Sequence, residues 1–226
     1  EDVDALLRER AALARGGDIE VPMPARLSVS QLVTLRRDPA DLARQIRRPM
    51  PSRPAPLARR GTAFHAWLER RWDIAPLVDI DELPGFADPQ PDDDDEVEAL
   101  QEAFERSEWA PRQPAEVESP FDTVIGGIVV RGRIDAVFRD PDGPAGSPRW
   151  AVVDWKTGAP PRGEQARAAE VQLAVYRLAW ADLRALDPSA VRAGFHYVRA
   201  GRTVWLTHPL DRTQLAELIA RAGILG

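Results

Sequence analysis

The sequence predicts an α/β fold in which a mixed sheet is flanked by helices and preceded by a helical segment. Three observations predict it. The hydrophobic pattern changes from a helical period to strict alternation near residue 115. Segments 115–124, 128–139 and 150–156 alternate and are rich in Val, Ile and Phe, and two further strand-like segments follow at 192–199 and 202–208. Between those two sets lies a stretch, 164–185, that is apolar on most sides and therefore reads as a well-buried helix. Helices, three strands, a helix, two strands and a final helix make a sheet covered on both faces.

Taken in order, residues 1–20 read as a polar helix or tether ending at Gly16-Gly17, so that 1–23 link this unit to a preceding domain and 24–226 form one domain. Ser28 or Ser30 caps a helix that runs to about residue 47, with Leu32, Val33, Leu35, Leu42 and Ile46 as its apolar contacts. A connector follows with prolines at 49, 51, 54 and 56. The next helix, about 57–73, turns Phe64, Trp67 and Leu68 inward, with His65 at the edge of that stripe and Glu69 one turn on. Residues 73–98 carry eleven acidic side chains and no basic one, the signature of an acidic loop. A helix is expected over 94–108. Gly126-Gly127 turns the first hairpin and Asp140-Pro-Asp-Gly-Pro the second. Val171, Leu173, Val175, Tyr176, Leu178 and Trp180 fill the buried helix, and the last helix begins near residue 211.

Composition limits the chemistry. There is no cysteine, which removes disulfides, a thiol nucleophile and thiolate-held iron–sulfur or zinc sites. No run of about 18 apolar residues and no signal-peptide pattern occurs. Both traits fit a cytoplasmic protein with no membrane association. The net charge of −6 conceals a segregation: residues 21–72 hold eleven arginines against Asp38, Asp41 and Glu69, a local net charge of +8. A basic stretch of that kind suits a phosphate backbone, or is simply a solvated helix face.

Of the 30 basic residues apart from histidine, 29 are arginine, and the sole lysine is Lys156 in Val-Val-Asp-Trp-Lys-Thr-Gly. A compact ammonium is not replaceable by a planar guanidinium where a point charge is needed. By itself a single lysine at a strand end can also be a remnant. Asp154 lies two residues earlier, on the same face of its strand. Asp135, in Arg-Gly-Arg-Ile-Asp-Ala-Val-Phe, comes alongside if the second and third strands pair. Two adjacent carboxylates repel, and a hard divalent cation resolves this with oxygen ligands. Arg133 is the alternative neutraliser. His65 alone reads equally as a packed histidine, and Gln172 and Tyr176, one helical turn apart, as an amide and a phenol satisfied in a core. No GxxxxGK[ST] loop is present, so the chain holds no nucleotide-driven motor of its own. Trp67, Trp72 and Trp155 are either core residues or platforms for bases.

Together, His65 in GTAFHAWLE, Asp135 in GRIDAV, Asp154 and Lys156 in VVDWKTG, and Gln172 and Tyr176 in QLAVYRLA resemble the RecB-like branch of the PD-(D/E)XK nucleases over roughly residues 24–208. The opening LSVSQLVTLRRDPADLARQIRRPMP resembles the start of the nuclease module behind helicases in AddAB-, RecBCD- and especially actinobacterial AdnAB-type repair machines. The resemblance implies a restriction-endonuclease-like fold and Mg²⁺ or Mn²⁺ held by His65, Asp135, Asp154 and the backbone carbonyl of Trp155. It makes Lys156 the residue that orients the attacking water, with Asp135 and Asp154 beside it, and Gln172 and Tyr176 the brace of the site and the DNA strand. Glu118 is a weaker candidate for support, and Glu69 is not expected to be a direct ligand. The implied partners are DNA, delivered as a single strand by a helicase motor in the same chain, and a partner helicase–nuclease subunit, in double-strand-break repair by recombination. Several relatives clamp this domain with four cysteines around an iron–sulfur cluster, and this chain has none. The alternative function is a non-catalytic DNA-binding or docking module on the same fold.

Overall fold

The computed structural model describes residues 21–49, 56–72, 91–140 and 150–224. The expected tether at 1–20, the prolines at 51 and 54, most of the acidic segment and the turn after Asp140 lie outside the described residues. Six strands form one mixed sheet: β1 (Arg26–Ser28), β2 (Glu116–Ile125), β3 (Ile128–Arg139), β4 (Trp150–Lys156), β5 (Val191–Tyr197) and β6 (Arg202–Trp205). β1 runs parallel to β3 and β4 parallel to β5, and the other pairings are antiparallel. Among the described residues six α-helices accompany it: α1 (Val29–Arg37), α2 (Pro39–Arg47), α3 (Pro56–Arg71), α4 (Pro91–Glu105), α5 (Glu164–Leu183) and α6 (Arg212–Ile224).

Three expectations need correction. The single helix over 28–47 is two helices. Ser28 caps the first through a reciprocal pair: its Oγ accepts from the Gln31 N–H at 3.1 Å and the Gln31 Oε1 accepts from the Ser28 N–H at 2.8 Å. Pro39 then excludes Asp38 from helical backbone, and Asp38, in extended conformation, caps α2 by accepting from the Asp41 N–H at 3.0 Å. The helix expected over 94–108 begins earlier, at Pro91 within the acidic segment, because proline suits the first helical position, and it ends at Glu105. Arg26–Ser28 is a strand that three residues of sequence could not announce.

The sheet divides the core. On one face Leu32, Leu35, Val130, Ile134, Val152, Val171, Val175, Trp180 and Leu215 pack together. On the other lies an aromatic layer of Phe64, Trp72, Phe104, Trp109, Phe138 and Trp155. Trp109 and Phe138 meet with ring centroids 4.7 Å apart, and Phe104 and Trp155 at 5.4 Å. Trp72 and Trp155 are therefore core residues, and Trp67 stacks on Phe64.

β3 positions the site. Along one edge it pairs with β2. Along the other, β1 lies beside residues 129–131 and β4 beside 136–139, leaving 132–135 between them. The pleat also reverses here: Val130 and Ile134 join one core, whereas Ala136 and Phe138, on the same parity, join the other. The reversal falls at Asp135. Directly across β2 the rung at Glu118 is missing, and that buried residue takes φ +49°, a region costly for a side chain of its size. Beside the gap, a Cβ on Gly132 would lie 2.7 Å from Val29 Cγ2 and 2.9 Å from Phe121 Cζ. Gly132→Ala is expected to destabilise the domain by about 1–3 kcal/mol, through overpacking of α1 against β3. Urea denaturation would read it.

Candidate active site

Four elements bring their side chains to the gap beside Asp135. The β3–β4 ladder stops at Ala136↔Val153, so Asp154, Trp155 and Lys156 no longer bond to β3 strand backbone. The Trp155 N–H instead donates to Asp135 Oδ2 at 2.8 Å. This ties the end of β4 to the carboxylate of β3. Asp154 is 2% exposed and Asp135 9%.

Asp154 is held from two sides. Gln172, on α5, donates from Nε2 to Asp154 Oδ1 at 2.8 Å and to the Tyr176 hydroxyl at 2.9 Å. Its Oε1 accepts from Lys156 Nζ at 3.2 Å. The Lys156 Nζ also lies 2.7 Å from Asp154 Oδ2. That contact is a close ion pair, and the buried Oδ2 has no second donor among the described residues. The i, i+4 spacing of Gln172 and Tyr176 works here as a relay into the site.

From the opposite side, α3 supplies His65. Its Nδ1 is 3.5 Å from Glu118 Oε1 and its Nε2 is 3.8 Å from Asp135 Oδ2. Arg133, the alternative neutraliser of the two aspartates, donates to Glu118 Oε2 at 3.3 Å. One donor atom each from His65, Glu118 and Asp135 lie within 4.8 Å of one another. The structure thus draws Glu118, the weaker candidate, into the cluster with His65 and Asp135, and holds Asp154 by Lys156 and Gln172.

Charge crowding shows in the proton affinities. Burial, then the neighbouring Asp154, pushes the Asp135 carboxyl up to about 7. Burial works against protonation of His65, but Asp135 and Glu118 outweigh it and raise the imidazole to about 9. Burial likewise opposes the Lys156 charge, and Asp154 and Asp135 overcome it, so its pKa is raised. Glu69, one turn beyond His65, is raised by burial and by Glu118. With three carboxylates and an imidazole converging, and an Asp135 carboxyl raised by burial and by Asp154, the residues fit a hard divalent cation.

What sequence inspection missed was the neighbour of Lys156 across β5. Its Nζ lies 4.9 Å from the centroid of the Phe195 ring. Phe195 stands opposite Asp154 in the β4–β5 ladder, and only the strand register reveals that.

The likeness to solved structures is one of fold. A candidate exonuclease from Eubacterium rectale superimposes with a TM-score of 0.56 at 12% identity, over 88% of this chain and 78% of that one. The protein designated SSO0001 gives a TM-score of 0.45 at 18% identity, over 99% of this chain and 86% of its own. No curated protein matches the sequence. Residues 26–222, which contain every element of the sheet and the whole cluster around Asp135, match the PD-(D/E)XK nuclease superfamily, and the chain belongs to that family.

Proposed function

We propose that this chain is a metal-dependent DNA nuclease domain of the RecB-like kind, hydrolysing phosphodiester bonds in a strand fed to it by a helicase motor. In this reading residues 24–226 are the nuclease domain, residues 1–23 tether it to what precedes it, and the assembly processes double-strand breaks. The observation that carries the reading is the Gln172 relay. A polar pair among the buried residues of α5 bonds 18 residues back to Asp154, on the strand that carries Lys156, instead of being satisfied within the core.

His65, Asp135 and Asp154 would hold Mg²⁺ or Mn²⁺, with Glu118 beside them. The carbonyl of Trp155 would join them, because an extended residue presents its N–H and C=O along the same edge and this N–H already faces Asp135. The cation, when bound, makes water acidic and offsets charge on the phosphoryl oxygens. Lys156 has three N–H bonds to place. Asp154 and Gln172 direct the ammonium, which orients the attacking water toward phosphorus. Gln172 and Tyr176 keep Asp154 and Lys156 in one register. Exposed Arg36, Arg37, Arg44, Arg47 and Arg48 at the ends of α1 and α2 offer a sequence-independent track for the DNA backbone.

The test is degradation of end-labelled single-stranded DNA with Mg²⁺, Mn²⁺ or EDTA, wild type beside Asp154→Ala. Cutting is expected with either metal, and is expected to vanish in EDTA and in the variant. Binding of DNA and metal without any cutting, alone or joined to a helicase motor, would mean a non-catalytic DNA-binding module instead.

A further inference from the structure

Lys156 is the chain's only lysine, and its ammonium is hemmed in on three sides. Asp154 Oδ2 lies at 2.7 Å, Gln172 Oε1 at 3.2 Å, and the Phe195 ring centroid at 4.9 Å. The first two contacts belong to the polar site. The third comes from β5, whose Tyr197, in register with Lys156, also feels the charges of Lys156 and Asp154. Phe195 is 4% exposed, packs against Tyr197 at 6.2 Å and sits within the larger core, so its ring is fixed by its surroundings. Its register opposite Asp154 follows from the parallel β4–β5 ladder.

We propose that Phe195 is a positioning residue for catalysis: its ring face clamps the Lys156 ammonium against Gln172, leaving one N–H of Lys156 to point at the attacking water. This rests on the nuclease reading above. The face of an aromatic ring carries negative electrostatic potential and attracts a cation, most strongly where the cation is shielded from water. It also admits no water on its side, which closes one of the directions in which an ammonium would otherwise be solvated. Asp154 is not a sufficient anchor, because it also serves the cation and a single ion pair leaves the ammonium free to turn about it. A flexible four-carbon stem needs a second fixed wall to hold one orientation. Phe195 supplies that wall without adding another charge.

The experiment compares Phe195→Leu and Phe195→Tyr with wild type. Phe195→Leu keeps the site apolar but removes the ring, and is expected to lower kcat about tenfold, with KM for DNA and the midpoint of Mn²⁺ activation within about twofold. Phe195→Tyr, which keeps the ring face, is expected to restore most of kcat. The second readout uses the lysine itself. In protein carrying ¹³C-lysine, Lys156 gives the only labelled εCH₂ signal, and the ring should shift its protons upfield of free lysine. Phe195→Leu should return that signal toward the free value, and Phe195→Tyr should keep it displaced. Wild-type kcat in Phe195→Leu, or an unshifted wild-type lysine signal, overturns the proposal. So does a loss of kcat accompanied by an equal change in KM or in the Mn²⁺ midpoint, because that reports collapse of the site. If the wild type does not cut DNA at all, the nuclease reading falls, while the lysine signal still decides whether the clamp exists.

Discussion

Lys156→Ala is expected to reduce DNA cleavage by about 10²–10³-fold, the scale seen when a single preorganised donor is removed from a site where charge develops. Metal binding should survive, because none of the proposed ligands is altered. Lys156→Arg should not rescue. A guanidinium is a planar fork that needs width, and here the ammonium occupies a space bounded by Asp154, Gln172 and the Phe195 ring. Removing the ammonium also leaves Asp154, 2% exposed, without its cationic partner. Asp154 is buried but the Lys156 side chain is 36% exposed, so the loss falls short of a fully buried pair, about 1–3 kcal/mol, and Lys156→Ala should be less stable than wild type in EDTA and recover part of that loss in Mn²⁺. Single-turnover cleavage at saturating Mn²⁺, with thermal denaturation of the same samples, separates the two effects. A Lys156→Ala rate equal to wild type would remove this residue from the mechanism.

The second large effect concerns Asp135 and pH. Its carboxyl is raised from 3.8 to about 7, so the native state holds a proton that the unfolded chain releases, and stability falls as pH rises through that interval. His65 is raised from 6.5 to about 9, and its contribution is complete below 6.5 and lost as pH climbs to 9. Asp135 therefore weakens the metal-free protein between about pH 3.8 and 7, and His65 between about pH 6.5 and 9. A cation needs the opposite forms, an ionised carboxylate and a neutral imidazole, so its binding strengthens as each group loses its proton, Asp135 first and His65 after it. The rise in melting temperature on adding Mn²⁺ should therefore be small at pH 5.5 and grow steadily to pH 8.5. Asp135→Asn removes the repulsion with Asp154 while keeping an acceptor for the Trp155 N–H. In EDTA at pH 8 it should melt above wild type, and it should lose both the Mn²⁺ response and cleavage. Calorimetry across this pH range checks all three. A metal response that does not change with pH would disconnect these groups from the cation.

The charge pattern explains why so much of the site could be read before the fold was known. Asp154 and Lys156 are two residues apart, and strand geometry alone puts them on one face. Gln172 and Tyr176 share a helix face for the same local reason. Their bonds to Asp154 and to each other then follow once α5 packs on β4. Glu118 was far less legible. Nothing in Val-Glu-Ser-Pro-Phe announces left-handed backbone at a buried glutamate, and its approach to His65 joins residues 53 positions apart in the chain. Arg133 looked like a partner for Asp135 because it lies two residues away, but the structure shows it bonded to Glu118 across the sheet.

The sequence by itself determined the helices and strands that carry the site, the α/β class and most of the residues that converge on it, because each rests on a repeat of two or about four residues along the chain. The split of one expected helix at Asp38-Pro39 was also within its reach, since proline acts on its immediate neighbour. Only the tertiary structure decided where the β3–β4 ladder ends, that the pleat of β3 reverses at Asp135, and that Phe195 faces Lys156. Those features depend on strand register and on packing between distant segments. No local periodicity encodes either of them.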